Sequence, residues 1–100
     1  MIRGTTPTHI FNLQIDTSII KKVRITYVQY AKVVVEKTER DVNMGGQTIR
    51  FKLTQEETLG ISRSTPVRVQ LKVLTADNTV LASPIRDIPV DDILNEEVLE

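Results

Sequence analysis

A chain of 100 residues with no cysteine and no tryptophan forms one domain, held by burial and strand pairing rather than by disulfides or thiolate metal sites. Only two Tyr and two Phe are present, so the core must be aliphatic, and a core built on a Trp and an inter-sheet disulfide is excluded. Formal charge sums to zero but is uneven: residues 1–85 carry 12 Lys/Arg against 7 Asp/Glu, and residues 86–100 carry one Arg against six acidic residues.

Val, Ile and Thr supply 35 of the 100 residues. These side chains are stiff at χ1 and pack well on a pleated surface, which favours strands. Residues 8–15 form the first expected strand, with Phe11, Leu13 and Ile15 on one face and Ile10 on the other. Residues 21–29 follow with the cleanest period of two, Val23, Ile25 and Tyr27 alternating with Lys22, Arg24 and Thr26. Residues 31–40 make the third strand. The link Gln29-Tyr30-Ala31 lacks the Gly or Asn that a tight hairpin prefers, so sequence alone leaves the pairing of these two strands open.

Asn43-Met44-Gly45-Gly46 supplies a turn with positive φ, and residues 47–53 follow as a strand with Ile49, Phe51 and Leu53 inward. Thr54-Gln55-Glu56-Glu57 has the form of a capping box, opening about one helical turn that Gly60 ends. Residues 66–75 alternate Val67, Val69, Leu71 and Val73 with Arg68, Gln70 and Lys72. Asp77-Asn78 makes a two-residue turn into a strand over 79–83, and Pro84 separates that strand from an edge segment over 85–90. Residues 91–100 are expected to form a short acidic, amphipathic helix that needs a surface to pack on. The whole pattern predicts an all-β antiparallel sandwich of about seven strands over residues 1–90, followed by the tail at 91–100.

No constellation for chemistry stands out. His9 is the only histidine, so no triad or multi-histidine metal site is available, and it is expected on an exposed strand face. Glu56–Glu57 and Asp91–Asp92 are adjacent carboxylates, but the first pair belongs to a helix cap and the second to the tail. Gly45-Gly46-Gln47 reads as a turn entering a strand. Lys22, Arg24, Lys32, Arg50, Lys52, Arg68 and Lys72 read as a solvated strand face, since nucleic-acid binding wants exposed aromatics beside the charge. The expectation is a non-enzymatic chain with no catalytic residue, cofactor, metal, small-molecule substrate, nucleic acid or membrane partner. The N-terminus has no apolar signal core, and no stretch is long enough to span a bilayer.

Five segments carry a family resemblance: the opening Met1-Ile2-Arg3-Gly4-Thr5-Thr6-Pro7-Thr8, then Leu53-Thr54-Gln55-Glu56-Glu57-Thr58, Val69-Gln70-Leu71-Lys72-Val73, Leu81-Ala82-Ser83, and the ending from Val90 to Leu99. Together they resemble small proteins encoded among tail genes of phages and prophages of Gram-positive bacteria. In pattern they are similar to the immunoglobulin-like N-terminal module of phage baseplate upper proteins. The resemblance implies an immunoglobulin-like sandwich made in the bacterial cytoplasm and incorporated into a virion as a tail or baseplate module. Its expected partners are other phage structural proteins or further copies of itself. The tail residues Ile93, Leu94, Val98 and Leu99 are the candidate anchors, steered by Asp91, Asp92, Glu96 and Glu97. Packing of the same anchors on their own domain is the competing expectation. A second functional reading, a carbohydrate or host-surface binding module, rests on Tyr30 as the one aromatic expected in a loop.

Overall fold

The computed structural model describes residues 1–100. Its strands are β1 (Thr8–Asn12), β2 (Ile20–Gln29), β3 (Lys32–Thr38), β4 (Asn43–Gly45), β5 (Thr48–Lys52), β6 (Val67–Thr75), β7 (Val80–Ala82) and β8 (Arg86–Ile88). A single helical turn, α1 (Gln55–Leu59), joins β5 to β6. One sheet has the order β1-β5-β4; the other has β3-β2-β6-β7, with β8 also paired to β6, and all strand pairings are antiparallel. Strands β7 and β8 bond to opposite ends of β6, on Lys72–Leu74 and Val67–Val69, so they occupy one strand place broken at Pro84. Eight strands therefore fill seven places.

Alternation places the core between the sheets. Val23, Ile25 and Tyr27 of β2, Val67, Val69, Leu71 and Val73 of β6, Val35 of β3, and Ile49, Phe51 and Leu53 beside β5 are buried, joined by Ile61 after α1. Each such side chain contributes about 1.5–3 kcal/mol relative to leaving it in water. On the first sheet β1 is only half sealed. His9, Phe11, Leu13 and Ile15 turn inward but stay partly accessible, while Ile10 is 50% exposed on the outer face.

The capping box forms as its residues predict. The Thr54 hydroxyl accepts from the Glu57 amide at 3.0 Å, and the Glu57 carboxylate accepts from the Thr54 amide at 2.8 Å. That carboxylate also takes a 2.8 Å bond from the buried Lys37 on β3, so the cap ties the inter-sheet helix to the second sheet.

Three expectations change. Asn43–Gly45 is a short strand rather than a turn, and the reversal falls at Gly46-Gln47, where Gly46 has φ +53°. At Asp77-Asn78 the Thr75 amide bonds the Thr79 carbonyl at 2.9 Å, which closes a three-residue loop with Asn78 at φ +65°. The tail over 91–100 forms no helix. The start of the segment is paired elsewhere: the Asp91 amide bonds the Met1 carbonyl at 2.7 Å, and the Asp91 carbonyl, which a helix would need, accepts from the Arg3 amide at 2.9 Å. Ile2 and Asp91 thereby form a parallel bridge.

The β2–β3 pairing left open by the sequence does occur, through a two-residue turn in which Tyr30 (φ +53°) and Ala31 (φ +57°) both take the left-handed conformation. A side chain there costs about 1–2 kcal/mol per residue. Buried Gln29 holds the turn in place, its amide donating to the carbonyls of Ser62 (2.8 Å) and Thr65 (2.9 Å) and accepting from the Ser62 amide (2.7 Å). Replacing Ala31 by Gly is expected to raise unfolding stability by about 0.5–1 kcal/mol, the relief of strain less the extra unfolded-state entropy of Gly. Urea titration checks this; no gain in midpoint would mean that the turn carries no strain.

Candidate functional site

The most apolar groove on the surface lies at the seam where the edge of β1 faces the edge of β7. Its volume is about 460 Å³, and it is floored by Phe11, Leu13, Leu71, Val73 and Leu81. Arg86 is the only charged residue that lines it. Leu81 is a large apolar side chain left 42% exposed at the groove wall. Phe11, Leu13, Ile15, Leu71 and Val73 lie on inward faces, as their alternation in the sequence predicts. Their incomplete cover was not legible, because it depends on which strand lies beside β1.

The tail is placed differently from its role as an array of free anchors. Asp92 accepts from Arg3 at 2.7 Å and pairs with Arg63 at 3.2 Å, and Glu96 lies 3.6 Å from Arg3. The Ile93 amide, then the Arg3 guanidinium, hold the Asp92 carboxyl below the usual carboxylate range. Ile93 is half-buried over Gly4, whose φ of +74° disfavours any side chain and which packs closely against Leu59 and Ile93. Val98 is half-buried, and the Leu99 backbone is held in both directions by the Gln55 side chain at 2.7 and 2.9 Å. Leu94 is fully exposed, Leu99 is 73% exposed, and Asp91 and Glu97 are exposed. Asp92 and Glu96 thus meet basic residues of their own domain, Asp91 and Glu97 have no basic partner, and Leu94 and Leu99 are the candidate anchors that still face solvent.

Arg3 is the residue that sequence reasoning missed. Its side chain is 12% exposed and donates to the carbonyls of Ile61 (2.7 Å) and Leu59 (2.8 Å) as well as to Asp92. One guanidinium therefore joins the N-terminus, the exit from α1 and the tail. Nothing around position 3 has a periodicity that would have marked it.

His9 also differs from expectation. It is half-buried rather than exposed, stacks on Tyr27 at 5.7 Å between ring centroids and meets Phe51 edge-on at 5.8 Å. Its Nδ1 is hydrogen-bonded to the Tyr27 hydroxyl. Burial, then the negative charge of Glu57, push the Tyr27 hydroxyl up, so it stays protonated, and the His9 tautomer sets which of the two groups donates. Burial, then the N-terminal ammonium, lower the His9 pKa. The pair is a polar link within the core. Nowhere do three or more His, Cys, Asp or Glu side chains gather as a metal site would require.

Tyr30 is exposed as expected of the loop aromatic, and its hydroxyl is hydrogen-bonded to Ser64, which lies 2.7 Å from the Ser62 hydroxyl. This fixes one ring on the surface at the end of the molecule where β2 turns into β3.

No protein-family profile matches this sequence, and no curated protein matches it. Among solved structures, the chain is similar to the extracellular domain of mouse leukocyte-associated immunoglobulin-like receptor 1, crystallised as a strand-swapped dimer, with a TM-score of 0.56 and 11% sequence identity over 91% of this chain and 84% of that one. The likeness shows the fold: an immunoglobulin-like β-sandwich. In the strand order of that fold, β1, β5 and β4 take the places of B, E and D, and β3, β2, β6 and β7–β8 those of C′, C, F and G. The edge of β1 where strand A runs in that fold is unpaired.

Two outcomes follow for stability. Arg3→Ala is expected to cost about 2 kcal/mol, the loss of charge-assisted bonds to two carbonyls and a carboxylate, with Arg3→Lys restoring less than half because an ammonium cannot fork between them; urea midpoints at constant slope measure both. For His9, the folded pKa lies below the unfolded value of 6.5, so the unfolded chain binds the extra proton first. Stability is therefore full above about pH 6.5 and declines as pH falls below it. Glu57 and Asp92, both lowered, contribute a separate loss only as pH falls below about 4.5. Stability measured against pH is expected to lose its slope between about pH 6.5 and 5 in His9→Gln; a slope that persists would assign it to other groups.

Proposed function

We propose that this chain is a non-enzymatic structural or assembly module that acts through protein–protein contacts at the β1–β7 seam. The observation that carries this reading is the apolar groove opening at an unpaired strand edge, where half-buried Phe11, Leu13 and Ile15 lack a cover. Exposed strand edges recruit further strands, because their unpaired amides and carbonyls gain partners that water satisfies less specifically. The structural neighbour is itself a strand-swapped dimer, which supports edge exchange as a mode of association for a domain of this shape. The sequence resemblance to phage and prophage tail-region proteins supplies the setting: a virion tail or baseplate, with other structural proteins of the particle as partners.

The tail now supports the reading less than the seam does, since Asp92 and Glu96 are paired within the molecule. Tyr30 favours carbohydrate binding only weakly; a single ring without a second platform stacks poorly on a sugar. Co-expression with the products of neighbouring genes, followed by size-exclusion chromatography, tests the proposal. Co-elution is expected to be lost in Asn12→Pro, which blocks the free edge, and kept on removal of residues 94–100. No co-elution, or co-elution indifferent to Asn12→Pro, would overturn it.

A further inference from the structure

We infer that the seam accepts one extended strand donated by a partner protein, apolar at alternate positions and carrying carboxylates, which pairs with the backbone of β1. This deepens the interaction reading above and rests on it.

The first support is hydrogen-bond parity. The Leu53 amide donates to the Pro7 carbonyl at 3.0 Å, and the Leu13 amide donates to the Gln47 carbonyl at 2.7 Å. In an antiparallel ladder the residues that exchange bonds alternate with those that do not. Residues 7, 9, 11 and 13 therefore turn their backbone groups to β5. Thr8, Ile10, Asn12 and Gln14 turn theirs to the free edge, where β1 has no neighbour.

The second is the composition of that edge. From Thr8 to Ile15 there is no Lys, Arg, Asp, Glu, Pro or Gly. These are the residues with which edges are usually blunted. The other edges have such protection: β3 carries Lys32, Glu36 and Lys37, β4 is three residues long, and Pro84 breaks the β7–β8 edge. β1 is thus the one edge built without a deterrent.

The third is the groove itself. A strand laid beside β1 extends the first sheet over Leu71, Val73 and Leu81, and every second side chain of that strand points into the groove. Apolar side chains there complete the cover of Phe11 and Leu13. Charge then selects among apolar strands. Arg86 lines the groove, and Arg50 and Lys52 stand across from Ile10 and Thr8 on β5, while no carboxylate lines it. The acids next in sequence to the lining residues Arg86 and Ile15 are otherwise disposed: Asp87 lies 3.8 Å from Arg68, and Asp16 accepts from the Ser18 amide. A carboxylate on the incoming strand is attracted and a lysine repelled. The chain's own tail has suitable composition but is held elsewhere by Arg3, Arg63 and Gln55, contacts it would have to give up to act as donor, whereas a strand from a different protein gives up none of them.

Amide hydrogen exchange on the full chain, followed residue by residue by NMR, tests this with three synthetic peptides. One alternates Val and Thr with Glu at its outer positions, one replaces each Glu by Lys, and one has the sequence of residues 90–100. In the free protein the amides of Ile10, Asn12 and Gln14 are expected to exchange fast and those of Phe11 and Leu13 slowly. The Glu peptide should slow the even set about tenfold or more and leave the odd set unchanged. The Lys peptide should bind several-fold more weakly, and Asn12→Pro, whose missing amide serves no bond in the free fold, should abolish protection without lowering the melting temperature. No protection of the even set, or equal protection by the Glu and Lys peptides, overturns the assignment. Protection by the 90–100 peptide as strong as by the Glu peptide overturns it in favour of a second copy as donor. If genetic neighbours co-elute through the edge while no peptide binds, strand donation fails and the interaction reading stands; if neither occurs, both fail.

Discussion

In a β-strand, side-chain direction and hydrogen-bonding direction both alternate with residue number, and at β1 these two alternations have different fates. Odd residues send their side chains to the core and their amides to β5; even residues send their side chains to solvent and their amides to an empty edge. Elsewhere in the molecule the alternation closes on itself. Strand β6 has β2 on one side and β7–β8 on the other, and its inward Val67, Val69, Leu71 and Val73 are buried. A strand with partners on both sides is sealed by the same geometry that leaves an edge strand half sealed.

Polar groups hold the corners of this sandwich. Glu57 accepts at once from its helix cap and from buried Lys37, so burial, which pushes its carboxyl up, is outweighed by the bonds from Lys37 and Thr54 and the group stays charged. Arg3 does the corresponding work at the other junction, between the first residues, the end of α1 and the tail. No buried side-chain nitrogen or oxygen is left without a partner. In a domain with no disulfide and a core of twelve buried apolar residues, such junctions decide how the loops lie on the sheets.

The acidic tail shows how one charge pattern serves either of two ends. Read as a sequence, carboxylates interleaved with apolar residues suggest a segment reaching for a basic partner. In the structure the basic partners are Arg3 and Arg63 of the same chain, and Ile93 rests over Gly4. A segment of ten residues gains little from forming a helix alone, whereas two backbone bonds at Asp91 and two from the Gln55 side chain to Leu99 tie it down without a helix. Composition cannot tell an intramolecular partner from an intermolecular one, because the attraction is the same.

Period-two patterning, turn residues and a capping box are local, and local chemistry was enough to set the all-β class, the inward faces of β2, β5 and β6, and the one-turn helix at Thr54. The same signals left the β2–β3 pairing open where a turn rests on distant support: Tyr30-Ala31 adopts a conformation unfavourable to both because Gln29 is clamped by residues 62–65. His9 was misjudged because its alternation places it inward but its polarity suggests water; Tyr27, eighteen residues away, supplies the hydrogen bond that reconciles the two. The open seam lay beyond any sequence reading. Which strand neighbours which is set by long-range pairing, and an unpaired edge is a property of the strand that is not beside it.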